Sequence, residues 1–225
     1  YAIADRPGLV PGFAAGAVAG SIGSGFLGAM VGGLLAGYVA NWISGWGVPN
    51  ALRSLMPIVV NPLISTIITL TVMYLVVKNI VTPLNKGATS WLTNLGGGSA
   101  VLLGVVIGLM MAFDMGGPVN KVAYTFGVAG LTATGTGSGA GLVHMAAVMA
   151  AGMTPPLGLA LATVLRKNLF NDAERENGKA AWVLGASFIT EGAIPFAAAD
   201  PLRVIPSIMI GSAVTGGLVE AFGNT

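Results

Sequence analysis

The chain has 225 residues, of which 54% are hydrophobic and 8% charged, with a formal net charge of +2. A soluble domain carries about 25% charged residues to cover its surface, so this composition excludes an ordinary water-soluble fold and points to a bilayer as solvent. No basic patch interleaves with aromatics, which excludes a nucleic-acid partner.

The opening, Tyr1-Ala-Ile-Ala-Asp-Arg6, has neither an initiator methionine nor a signal-peptide pattern, and the chain reads as part of a longer protein. Between Arg6 and Arg53 no Asp, Glu, Lys or Arg occurs. One spanning helix needs about 20 residues, so this stretch holds two passes, or one pass and a shorter segment. Ser21-Ile-Gly-Ser-Gly25 is the expected break. Small residues recur every fourth position at Gly12, Gly16, Gly20, Ser24, Gly28, Gly32 and Ala36, a stripe suited to close helix packing.

Pro57–Val77 is the cleanest span, flanked by Arg53 and Lys78. Residues 78–95 place Ile80, Val81, Leu84, Ala88, Trp91 and Leu92 at helical spacing, which predicts an amphipathic interfacial helix with Trp91 as a belt residue. Ala100–Phe113 is apolar, Val122–Leu131 is apolar but short, and Thr132–Gly141 reads as a Gly/Ser/Thr loop. Val143–Leu165 is a span that the Pro155-Pro156 pair is expected to interrupt. The hydrophilic stretch 166–179 carries four of the chain's cations and is expected in the cytoplasm. A short helix is expected from Asp172. Ala180–Ile189 is too short to span alone, and Val204–Phe222 is the last apolar segment.

Two segments carry the informative charges: Asp114-Met-Gly-Gly-Pro118 and Glu191-Gly-Ala-Ile-Pro195. Each interrupts an apolar run and is followed by a cation, Lys121 or Arg203. Acids are costly in hydrocarbon and usually face a cavity or pathway. Gly/Pro-interrupted apolar segments point to transporter binding sites. Two broken or re-entrant helices meeting at a polar cavity are therefore expected, with Glu191 functional. The alternative is a pair of surface loops in which Asp114 pairs with Lys121 and Asp200 with Arg203. For Asp200 and Arg203 the local ion pair is the favoured reading.

His144 is the only histidine and starts a span. It is read either as a packed residue or as one that hydrogen-bonds a substrate or responds to pH. With no cysteine and one histidine, disulfides, thiolate sites and a histidine metal cluster are excluded, and no metal or cofactor is expected. Gly96-Gly-Gly-Ser99 lacks the Gly-Lys-Ser/Thr of a phosphate loop.

At these segments the sequence resembles the IIC component of fructose-type phosphotransferase permeases. The resemblance rests on Ala112-Phe-Asp-Met-Gly-Gly-Pro-Val-Asn-Lys121, on Ala146–Pro156, and on Ile189-Thr-Glu-Gly-Ala-Ile-Pro-Phe-Ala-Ala-Ala-Asp-Pro-Leu-Arg-Val-Ile-Pro206. It extends to Ala4-Asp-Arg-Pro-Gly8 and covers nearly the whole chain. It implies an all-α, polytopic, homodimeric sugar carrier of the bacterial inner membrane, with a scaffold part (1–95) and a transport part (96–225). It implies a phosphorylated IIB partner whose phosphocysteine modifies the sugar. Fructose is favoured, with mannitol and mannosyl-glycerate-type substrates open. Thr190-Glu191 matches a sugar-holding Thr-Glu motif of the wider superfamily. The expected site is Glu191 as catalytic carboxylate, with Asp114, Asn120, Lys121, His144, Thr190 and Phe196 as further substrate contacts, and Phe113 and Phe188 as apolar faces. The rival reading is an ion-gradient-driven sugar carrier with Glu191 and Asp114 as ion ligands. A purely structural membrane subunit is the third.

Overall fold

The computed structural model describes residues 2–49, 55–133 and 139–223. Its elements are ten α-helices joined by short 3-10 and π turns, with no strand among the described residues. Among those residues, four helices are long and apolar enough to cross a bilayer: Gly25–Ser44, Met56–Gly98, Gly141–Leu165 and Pro201–Phe222. The other apolar runs form shorter helices.

The chain divides into two compact units, Tyr1–Ala88 and Thr89–Thr225. The first holds α1 (Leu9–Ser21), α2 (Gly25–Ser44) and α3 (Asn61–Val72). The expected break at Ser21–Gly25 is present. The carbonyls it frees are satisfied from a distance, Thr82 donating to Ile22 O at 3.0 Å and Asn85 to Gly23 O at 3.2 Å.

The small-residue stripe divides at that break. On α2, Gly28, Gly32 and Ala36 are buried as expected. On α1 the buried face is Pro11, Ala15 and Ala19, one position removed from the glycines, and Gly12, Gly16 and Gly20 face open space. Alanine methyls fill that contact better than a bare backbone does. Ala15, Ala19 and Ile22 pack with Met73 and Val77.

The polarity of α3 is inverted relative to a soluble helix. Asn61, Ser65 and Thr69 are buried, while Leu63 and Ile67 point outward. Asn61 donates to Ala40 O at 2.9 Å and to Ser44 Oγ at 2.6 Å. Such a helix is stable only where the exterior is apolar, so the fold is that of an all-α polytopic membrane protein.

The segment 78–95, expected as an interfacial amphipathic helix, is helical and follows the preceding span without a break. Residues 56–98 form one helical run, with π-type turns at Met56–Val60 and Met73–Val77 before α4 (Lys78–Gly98).

The second unit holds α5 (Ala100–Phe113), α6 (Pro118–Ala133), α7 (Gly139–Leu165), α8 (Asp172–Ala186), α9 (Ile194–Ala199) and α10 (Pro201–Phe222). Helices α5 and α10 touch backbone to backbone. A Cβ on Gly104 would overlap the Gly216 carbonyl, and one on Gly108 the Ser212 carbonyl. Of the loop expected over Thr132–Gly141, residues 134–138 lie outside the described residues, while Thr132 and Ala133 close α6 and Gly139 opens α7.

The Pro155-Pro156 pair does not interrupt its span. Helix α7 runs through it unbroken. Proline at 155 removes the N–H that would bond Ala151 O. Ser212 of α10 supplies the missing donor, its hydroxyl bonding Ala151 O at 2.9 Å. The short helix expected from Asp172 starts there and runs on to Ala186. Asn171 and Glu174 form a reciprocal capping box at its N-terminus.

Candidate functional site

The two Gly/Pro-interrupted segments meet, as expected, within the second unit. The first is the turn Asp114–Gly117 between α5 and α6. The Asp114 carboxylate accepts from Val119 N at 2.7 Å and Asn120 N at 2.9 Å, capping the positive end of α6. Pro118, which has no N–H to offer, takes the first helical position. The Asn120 amide donates to Met111 O at 2.8 Å and is buried, tying α6 back to the last turn of α5. These bonds fix the first turn of α6, from which Lys121 projects.

The second segment is the 3-10 turn Thr190–Ala193, between α8 and α9. Lys121 Nζ lies 3.4 Å from Glu191 Oε1, and both side chains are half-buried. The Glu191 carboxylate also packs against Gly116. That glycine has φ +108, and a Cβ there would overlap the carboxylate. Glycine is therefore required twice, by backbone conformation and by space. Met115 (φ 45), in the first segment, and Phe188 (φ 63), just before the second, are non-glycine residues in the left-handed region. Strain of this kind concentrates where a site over-determines the backbone.

A cavity of about 690 Å³ opens beside the pair, a size typical of small-molecule sites. Asn120, Lys121 and Tyr124 of α6 line it, with Val148, Met149 and Gly152 of α7, Met111 of α5, and Ser187 to Glu191. Gly152 lets the buried Thr190 hydroxyl approach α7, where a Cβ would lie 3.0 Å from it. The site offers a carboxylate, an ammonium, an amide and hydroxyls on one side. The apolar side chains of Phe188, Ile189, Val148 and Met149 complete it.

Of the sequence-expected residues, Asn120, Lys121, Thr190 and Glu191 line this cavity together. Asp114 does not. It neither lines the cavity nor pairs with Lys121, because both its oxygens cap α6. Phe196 is also elsewhere: it is 1% exposed and packs edge-on against Phe170 in the core with Leu159 and Ile208. Phe188 takes the cavity position instead. His144 sits at a separate cavity of about 390 Å³, with its Nδ1 2.7 Å from Glu220 Oε1 and its ring stacked on Phe126. Asp200 keeps the local role expected for it, capping α10 through Arg203 N at 3.3 Å and lying 3.5 Å from the Arg203 guanidinium. Sequence reading did not single out Tyr124, Val148, Met149 or Gly152 as site residues, although Val148, Met149 and Gly152 lie in the stretch 146–156 that carries the resemblance and Tyr124 stands one turn beyond Asn120 and Lys121 on α6.

The family model of the phosphotransferase system EIIC matches residues 3–211. The chain is 57% identical over 176 residues to a PTS system fructose-specific EIIB'BC component of Rhodobacter capsulatus, covering 78% of this chain and 29% of that protein. It is 48% identical over 178 residues to a fructose permease IIC component of Bacillus amyloliquefaciens, covering 79% and 56%. It is 48% identical over 177 residues to a PTS system fructose-specific EIIC component of Haloferax volcanii, covering 78% and 46%. The matched part thus spans between 29% and 56% of these relatives' own length. No solved structure matches the chain. A family match over nearly the whole length, on a fold that brings both polar motifs to one cavity, places this chain in the EIIC family of the phosphotransferase system.

Proposed function

We propose that the chain binds and translocates a hexose, with fructose the favoured substrate, for phosphorylation by a phosphocysteine on a IIB partner. One observation carries this reading: Glu191 and Lys121 come from two broken-helix segments and face one cavity of sugar size. A carboxylate accepts two sugar hydroxyls, and Asn120, Lys121 and Thr190 add donors and acceptors. Phe188 gives the ring an apolar face. Asp114 acts as a positioning residue through the α6 cap.

In the chemical step the sugar hydroxyl oxygen attacks phosphorus. The phosphorus–sulfur bond breaks, the cysteine leaves as thiolate, and Glu191 takes the hydroxyl proton as general base. This chain has no cysteine, so the phosphoryl donor is a separate domain or subunit. The reading places the protein in the bacterial inner membrane as a homodimer, with 166–179 in the cytoplasm. Residues 1–95 serve as scaffold and 96–225 as the moving transport part.

The test is uptake of radiolabelled fructose by membranes holding the full-length protein, with and without phosphorylated IIB. Phosphorylated fructose formed only with IIB, and lost in Glu191→Gln, is the expected result. Free sugar accumulating without IIB, and collapsing with an ion uncoupler, would replace this reading with the gradient-driven carrier.

A further inference from the structure

Helix α7 supplies one wall of the Glu191 cavity through Val148, Met149 and Gly152. Immediately beyond that wall stand Pro155 and Pro156, neither of which donates to the helical carbonyl four residues earlier. The part of α7 before the prolines is thus coupled to the part after them by fewer backbone bonds than an ordinary helix has. Beside its packing against α5 and α6, it is held to α10 by side-chain hydrogen bonds. Two α7–α10 contacts lie at the prolines: Ser212 Oγ to Ala151 O at 2.9 Å, and Thr154 Oγ1 to Thr215 Oγ1 at 3.0 Å. The third, His144 to Glu220 at 2.7 Å, lies at the far end. It is about 10 Å from Ala151 along the helix at 1.5 Å per residue.

Val148 and Met149 of the cavity wall lie between these two anchorages. Glu220 has a side-chain exposure of 2% and packs close to Gly104 of α5. A carboxylate so enclosed is costly without a partner, and the His144 ring meets it at 2.7 Å. Space lies beside the latch. The 390 Å³ cavity next to His144 is walled largely by Gly96, Gly97, Gly130, Gly141 and Phe126. At the tip itself Gly141 lies against the Gly130 backbone of α6, a contact with no side chains to interlock.

We propose that residues 141–154 of α7 are a movable wall of the Glu191 cavity, hinged at Pro155-Pro156 and latched to α10 by His144 and Glu220. His144 and Glu220 are positioning residues, acting on the site through Val148, Met149 and Gly152. The functional half of this inference rests on the sugar-site reading above; the mechanical half does not.

The test is hydrogen–deuterium exchange on the full-length protein in nanodiscs, paired with equilibrium binding of radiolabelled fructose. In Glu220→Gln, exchange of the amides at 142–149 rises about tenfold while those at 157–165 stay unchanged, and fructose binds about fivefold more weakly. A rise spread evenly over both halves of α7, or no rise, overturns the hinge. Pro155→Ala with Pro156→Ala carries the test where Glu220→Gln does not accumulate. Restoring the two donors slows translocation about tenfold with the fructose Kd within twofold, and translocation at the wild-type rate overturns the proposal. Unaltered fructose binding in Glu191→Gln would remove the sugar-site reading, while the exchange pattern, which needs no sugar, still decides the hinge.

Discussion

Gly116 and Glu191 lie so close that a methyl group on the glycine would occupy the space of the glutamate's carboxylate. The two come from different interrupted segments, so the glycine is a template for where the acid can sit. Gly116→Ala meets both the overlap and a φ of +108. A strained backbone position costs about 1–3 kcal/mol, and the overlap adds displacement of the acid. Fructose phosphorylation is expected to fall at least tenfold in Gly116→Ala while the protein still inserts, as measured by uptake normalised to membrane abundance. Wild-type uptake would show that the acid's placement does not matter.

The two phenylalanines separate packing from binding. Phe196→Ala empties a core position and is expected to cost about 3–5 kcal/mol of stability, seen as early thermal unfolding in detergent. Phe188→Ala, at a side chain 51% exposed, is expected to leave unfolding nearly unchanged and to raise the KM for fructose. The reverse pattern would return Phe196 to the site.

Ser212 and Pro155 form a compensating pair. Ser212→Ala leaves the Ala151 carbonyl without its donor, which costs about 1–3 kcal/mol in a buried setting. Adding Pro155→Ala restores a backbone N–H at the right place and is expected to recover most of the loss. Detergent unfolding of the single and double variants checks this, and equal destabilisation in both would show that the Ser212 hydroxyl is not the replacement donor.

Asn171 offers a control remote from the cavity. Its side chain accepts from Glu174 N at 2.9 Å, and Glu174 returns the bond to Asn171 N at 2.8 Å. Asn171→Ala is expected to cost about 1 kcal/mol and to leave fructose uptake per folded molecule unchanged. A large uptake defect would give the start of α8 a functional role.

Much of this was legible in the chain itself, and the failures have physical causes. Glu191 stood out because an acid between apolar neighbours has few structural uses. The meeting of the two motifs was foreseeable because each broke an apolar run with glycine and proline. Asp114 was expected as a further substrate contact, but a short carboxylate just before a helix start finds backbone N–H groups before it reaches a cavity. Phe188 and Phe196 are both aromatic neighbours of the motif, and only the left-handed turn at Phe188 sends one outward. The proline pair was misread because its relief comes from Ser212, 61 residues beyond the orphaned carbonyl. Sequence reading placed the contact stripe of α1 on its glycines, whereas the neighbouring alanines make the contact.

The inverted polarity of α3, with Asn61, Ser65 and Thr69 inward and Leu63 and Ile67 outward, has a thermal consequence. When such helices separate within a bilayer, their outer leucines and isoleucines stay in hydrocarbon. Hydration of newly exposed apolar surface is what gives soluble proteins their large heat capacity of unfolding. Here that surface was never in water, so helix separation carries a small heat-capacity change. The stability curve of this protein in lipid is correspondingly flat, and cooling does not loosen it as it loosens a water-facing core.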